Sequence, residues 1–181
     1  MGIEFGTAAA AGRGDAASRH LLVDLAHRVT LDHGAPIVVR SAPCTDCGRA
    51  HGAPLVTGAS RPLWASLTHA AGLAIAVVSD ERPVGIDAEP RSQPATRTRD
   101  IARLLGTGQD VAIERWTQIE AVLKADGRGL RVDPGRVRVE GTAAELEGVD
   151  YALTSPCIAG VPDDVIVTCA EGGAAAAASA P

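Results

Sequence analysis

The chain has 181 residues, 46% of them hydrophobic and 22% charged, with a formal net charge of −5. That is enough apolar material to bury a core in one domain or two small lobes, so general disorder is not the default expectation. The acidic balance argues against a nucleic-acid-binding face, which needs cations to neutralise phosphates.

No apolar run approaches the roughly 20 residues that span a bilayer, and the N-terminus lacks the basic-then-apolar pattern of a secretory signal. The expectation is a cytoplasmic protein with no membrane and no nucleic-acid partner. Its only aromatic residues are Phe5, Trp64, Trp116 and Tyr151, so Ala, Val, Leu and Ile must fill the core.

In chain order, "GDAASRHLLVDLAHRVT" carries Leu21, Leu22, Leu25 and Val29 at helical spacing, with Asp15 placed to cap the start. "APIVVR" and "GLAIAVVS" read as strands, the second continuous enough to be buried on both faces. The Gly-, Pro- and Cys-rich residues 41–62 between them read as a long structured loop. "RPVGIDAE" follows after a short turn and is expected to pair with "GLAIAVVS" as a hairpin. Beyond a polar linker near residues 90–98, "RDIARLL" and "QDVAIERWTQIEAVLKAD" have helical patterns. "GLRVD" with "GRVRVEG" is expected as a second hairpin, and "DVIVTCA" as a last strand. The order divides into an N-terminal lobe, residues 1–80, a C-terminal lobe, residues 81–172, and a disordered Ala-rich tail, residues 173–181.

Three clusters carry chemistry. In "PVGIDAEP", Asp87 and Glu89 stand at i and i+2 on an extended segment and so share a face. Like charges held so close raise a pKa or recruit a hard cation such as Mg2+, unless the segment simply ends in a solvated turn. In "WTQIEAVLK", Trp116, Glu120 and Lys124 fall on one helical stripe, either as an exposed Glu–Lys pair or as a face turned inward by the tryptophan. In "CTDCGRAH", Cys44, Cys47 and His51 have spacings that suit zinc, a redox pair or a plain turn with reduced thiols; a fourth zinc ligand would have to be Cys157 or Cys169.

Together these stretches resemble the Sfp-type 4'-phosphopantetheinyl transferases. That family carries G-[IV]-D-x-E, then W-[ST]-x-K-E-[AS]-x-x-K followed by G-x-G-L, where this chain has "VGIDAEP" and "WTQIEAVLKADGRGL". Upstream, "CTDCGRAHGAP" is similar to its C-x-x-C-G-x-x-H-G-[KR]-P loop, and "ASLTHAAGLAIAVV" to its S-x-[ST]-H-x-x-G strand. The ordered set covers residues 44–130. The resemblance implies an α+β fold of two pseudo-twofold lobes in a monomer, with coenzyme A in the cleft between them. It implies Mg2+ on Asp87, Glu89 and Glu120, Lys124 on a phosphate oxygen, Thr68 and His69 at the nucleotide phosphates, and Arg13 and Arg19 reaching the nucleotide. The implied reaction is attack of a serine hydroxyl of an apo acyl or peptidyl carrier protein on the β-phosphate, releasing adenosine 3',5'-bisphosphate, with Glu120 as candidate base.

The chain departs from the pattern at Ile119 and Ala53, where relatives have phosphate-binding cations, and in the interval before Trp116, which is short and lacks an aromatic segment. Restoring a lysine at Ile119 or Ala53 is expected to raise affinity for coenzyme A. Arg49, Arg61, Arg115 and Arg128 are candidate substitutes, and Arg91, Arg97 and Arg99 a candidate docking edge for the carrier. Two other readings are a homologue whose cleft serves another small-molecule reaction and a non-catalytic binding partner.

Overall fold

The computed structural model describes residues 2–10, 12, 15–31, 34, 36–44 and 47–172, without the side chain of His51. Strand β1 (Ile3–Ala9) leads into helix α1 (Ala16–Thr30), a hairpin of β2 (Val38–Pro43) and β3 (Ala50–Thr57), then β4 (Trp64–Ala70) and β5 (Leu73–Ser79). There follow β6 (Val84–Pro90), helices α2 (Ala95–Leu105) and α3 (Ala112–Asp126), and strands β7 (Val137–Glu140), β8 (Ala143–Leu146), β9 (Val149–Thr154) and β10 (Val165–Gly172). This is a mixed α+β chain. The tail at residues 173–181 lies outside the described residues, and no described helix is long and apolar enough to cross a membrane.

The strands form antiparallel sheets in the orders β1-β5-β4 and β6-β10-β9-β8-β7, with β2-β3 as a separate pair. The two halves of the chain share a sequence of events: a first strand, a helix, a hairpin, and two further strands of which the last pairs beside the first; the first hairpin, β2–β3, stays outside its sheet, whereas β7–β8 extends the second. Among the described residues α2 has no counterpart in the first half.

Asp15 caps α1 as its position predicts, its carboxylate accepting from the Ser18 backbone N–H at 2.8 Å. The stripe of Leu21, Leu22, Leu25, Ala26 and Val29 packs on Ala74, Ala76 and Val78 of β5, whose small side chains leave room for the helix. The alternate β5 residues, Ile75 and Val77, face the other way, toward Ile86 and Ala88 of β6 and Val165, Val167 and Cys169 of β10. The continuous burial expected for "GLAIAVVS" is therefore present, with Ala74 through Val78 at 0% exposure. α3 covers the opposite face of the second sheet, with Ile119, Val122 and Leu123 against Leu146, Tyr151 and Leu153.

Three expectations give way. β6 does not pair with β5, because β5 already has β1 on one edge and β4 on the other; β6 pairs with β10. The true hairpin is β4–β5, closed by Ala71 and Gly72 with φ of 50° and 75°, the left-handed pair that matches strand twist. Residues 41–62 are not one loop but hold the end of β2 and all of β3. "GLRVD" is a short 3-10 turn at Gly129–Arg131, and β7 pairs instead with β8.

Two glycines let the helices approach. A Cβ at Gly6 of β1 would press on the Leu21 and Leu25 side chains of α1, and one at Gly85 of β6 would overlap the Ala121 carbonyl oxygen and the Ala125 nitrogen of α3. The second contact is backbone on backbone and cannot be relieved by a rotamer change. Gly85→Ala is expected to cost about 3 kcal/mol as α3 is pushed off the strand, measured as a fall in the urea midpoint. A variant as stable as the parent would contradict this packing.

Candidate functional site

The site lies where the two large sheets meet, at the β4 edge of one and the β6 edge of the other. Ser66 and Thr68, two apart on β4, both point at β6 and bridge by side chain where no backbone ladder runs. The Ser66 hydroxyl accepts from the Ile86 N–H at 3.0 Å, and the Thr68 hydroxyl donates to Asp87 Oδ1 at 3.1 Å. The same Asp87 oxygen accepts from Lys124 Nζ at 2.7 Å, and Lys124 also donates to the Ile86 carbonyl at 3.0 Å. Lys124 reaches this point because α3 rests on Gly85.

Asp87 is 5% exposed while the Lys124 side chain keeps 27% exposure, so the pair is desolvated on its carboxylate side and open to solvent on its ammonium side. Attraction between such charges offsets a large desolvation cost, and removing one partner strands the other, a loss of about 3–5 kcal/mol. Glu89, on the same face of β6 and partly exposed, is bonded to the Arg97 guanidinium of α2 and accepts from Gln93 Nε2 at 3.0 Å. Burial pushes the Glu89 carboxyl above the usual carboxylate range; Arg97 opposes that, Asp87 adds to it, and Lys124 opposes it. Each carboxylate thus has a side-chain cation from a different helix.

The structure brings together Thr68, Asp87, Glu89 and Lys124 of the expected residues. Thr68 and His69 point to opposite faces of β4: Thr68 to Asp87, His69 toward α1, where its Nε2 lies 3.1 Å from Ser18 Oγ. Glu120 is partly exposed, one turn before Lys124. Arg19 is exposed in the first turn of α1, and Arg13 lies outside the described residues.

Among the described residues no group of three or more His, Cys, Asp and Glu side chains is placed to hold a metal ion, so the trio of Asp87, Glu89 and Glu120 is not gathered. The pair on β6 nevertheless fits Mg2+ as a donor set, since that ion commonly takes one or two carboxylates and completes its shell with water and substrate phosphates. Cys44, partly buried, and Cys47, exposed, lie at the β2–β3 connection. Thr45, Asp46 and the His51 side chain lie outside the described residues. Cys157 is exposed, whereas Cys169 is buried between the sheets and its thiol is pushed up to about 12, by burial first and then by Glu171.

Ile119 is not a vacant cation position. It is 3% exposed and packed in the core beneath α3, so a lysine there would bury an ammonium rather than add a phosphate ligand. Ala53 is exposed, so a lysine there would not bury its ammonium as one at Ile119 would. Three of the arginines considered as substitutes are committed elsewhere: Arg61 to Asp80, Arg115 to the Val139 carbonyl, and Arg128 to Asp126 and Glu147. Arg97 is spent on Glu89, while Arg91 and Arg99 remain on the exposed surface.

The sequence reading missed the roles of Ser18, Ser66 and Gln93. Ser66 was signalled by the alternation in "ASLTHA", in which Ser66 and Thr68 share a face with the buried Ala70. No protein-family model matches the sequence, and no curated protein matches it.

Because the Glu89 carboxyl titrates above its ordinary value in the folded chain, its contribution to stability is full below that value and is lost as pH rises through the folded-state value. Arg97→Ala removes the first of the opposing charges and is expected to raise the Glu89 titration midpoint further, read by carboxyl carbon NMR. An unchanged or lower midpoint would show that Arg97 does not govern Glu89.

Proposed function

We propose that this chain is a 4'-phosphopantetheinyl transferase of the Sfp type, which moves the phosphopantetheine arm of coenzyme A to a serine of an apo acyl or peptidyl carrier protein. The observation that carries the reading is the pair of buried Asp87 and partly exposed Lys124, 2.7 Å apart, beside Glu89 at the junction of the two sheets. The order of first, last and next-to-last strand, which β1-β5-β4 shares with β6-β10-β9, supports two pseudo-twofold lobes with the cofactor between them.

In this reading the serine oxygen forms a bond to the β-phosphorus as the bond from that phosphorus to the oxygen bridging the two phosphates breaks, and adenosine 3',5'-bisphosphate leaves. Such a transfer needs positioning and charge neutralisation more than covalent help. Lys124 is pinned between the Ile86 carbonyl and Asp87, which leaves one of its three N–H donors for a phosphate oxygen. Asp87 and Glu89 would hold Mg2+, whose added positive charge serves the pyrophosphate oxygens when bound; the two carboxylates, Lys124 and Arg97 otherwise sum to neutrality. Glu120, one turn before Lys124 and in contact with solvent, takes the serine proton. His69 and Arg19, on β4 and the first turn of α1, face the nucleotide phosphates.

The test is mass spectrometry of an apo acyl carrier protein incubated with the chain, coenzyme A and Mg2+. The reading predicts a mass gain of one phosphopantetheine group, slowed by about 10²–10⁴-fold for Glu120→Gln, the range ordinary for loss of a general base. No mass gain with the parent chain across several acyl and peptidyl carriers would overturn it, and would redirect attention to a different small molecule or to binding without turnover.

A further inference from the structure

The inward stripe of α1 holds one polar residue. Ser18 falls in register with Leu21, Leu22 and Leu25 and is 1% exposed, as buried as the leucines around it. Alanine would suit this position better by ordinary criteria, having the higher helix propensity and no hydroxyl to desolvate. The hydroxyl is engaged by the Nε2 of His69, at 3.1 Å.

Both ends of that contact are fixed. The Ser18 backbone N–H donates to the Asp15 cap at 2.8 Å, which locks the residue into the first turn of α1. His69 stands on the α1-facing side of β4 with Leu67 and Ala65, in a strand fully paired to β5. An imidazole ring can turn over about its last torsion at small cost, and a hydrogen bond to one ring nitrogen decides which nitrogen faces which way and which carries the proton. A buried serine is well suited to this, because its hydroxyl serves as donor or acceptor as the ring requires.

We propose that Ser18 is a positioning residue for the His69 imidazole, fixing the ring's orientation so that it meets the nucleotide end of the ligand. This rests on the proposed function for the identity of that ligand, and on the Ser18–His69 geometry alone for the ring.

The experiment compares the parent chain with Ser18→Ala and Ser18→Thr. Ring nitrogens of His69 are observed by long-range proton–nitrogen correlation NMR at one fixed pH, and affinity is measured for coenzyme A and for adenosine 3',5'-bisphosphate. Ser18→Ala is expected to change the His69 ring nitrogen shifts, weaken both ligands about tenfold as one hydrogen-bond's worth of orientation is lost, and leave the urea midpoint within error or higher. Ser18→Thr keeps the hydroxyl and is expected to restore ring shifts and affinity. Unchanged ring shifts in Ser18→Ala would overturn the proposal, as would changed shifts with undiminished affinity. Should the parent chain bind neither ligand, the proposed function fails, and with it the ligand-facing part of this role; the ring shifts then decide whether Ser18 orients His69 at all.

Discussion

The closeness of α3 to β6 is the constraint on which the rest depends. A helix lying on a strand is normally held off by the Cβ atoms between them, and at Gly85 there is none, so the α3 backbone comes down onto the strand. Lys124 then reaches the Ile86 carbonyl and the Asp87 carboxylate at once. Any side chain at position 85 would lift the helix and withdraw the ammonium from a carboxylate too buried to find water. The glycine and the aspartate two residues later are one device: the first sets the distance, and the second uses it.

The second constraint is the junction of the sheets. Two edge strands that run side by side without a ladder leave backbone groups that need partners. Ser66 supplies one to the Ile86 N–H, and Thr68, at the next same-face position on β4, adds a side-chain bond to the Asp87 carboxylate. Apolar packing between the sheets, led by Ile75, Val77, Ile86 and Val167, holds the junction from below. The site is therefore built where the core ends, with hydroxyls continuing the join into a polar region. From there α2 contributes Arg97 to Glu89, so that each β6 carboxylate is matched by a cation arriving on a separate helix.

Much of this was legible in the residues themselves. The cap at Asp15, the stripe of α1 and the doubly buried β5 follow from spacing and composition, because each is a local pattern read against one neighbouring surface. Pairing partners were less legible. β5 and β6 look like a hairpin since they are consecutive and apolar, but a strand has only two edges, and those of β5 are taken by β1 and β4. The turn that closes β4 onto β5 is Ala71-Gly72, without the Asn-Gly signal that marks such turns most plainly. At the site, the Asp87, Glu89 and Lys124 grouping was visible as a shared face on a strand and a stripe on a helix. Ile119 was misread because sequence alignment to a motif assigns a role to a position, whereas burial assigns it to the core.

What distinguishes a working anion site from a pair of structural ion pairs is whether the charges respond to a ligand. Isothermal titration of coenzyme A into the parent chain and into Lys124→Met, each with and without Mg2+, addresses this directly. A phosphate site built on Lys124 and the β6 carboxylates gives micromolar binding to the parent chain that strengthens with Mg2+ and weakens at least tenfold in the variant. Absence of binding at millimolar coenzyme A, or binding indifferent to both Mg2+ and Lys124, would mean that these charges hold the sheets together and do nothing more.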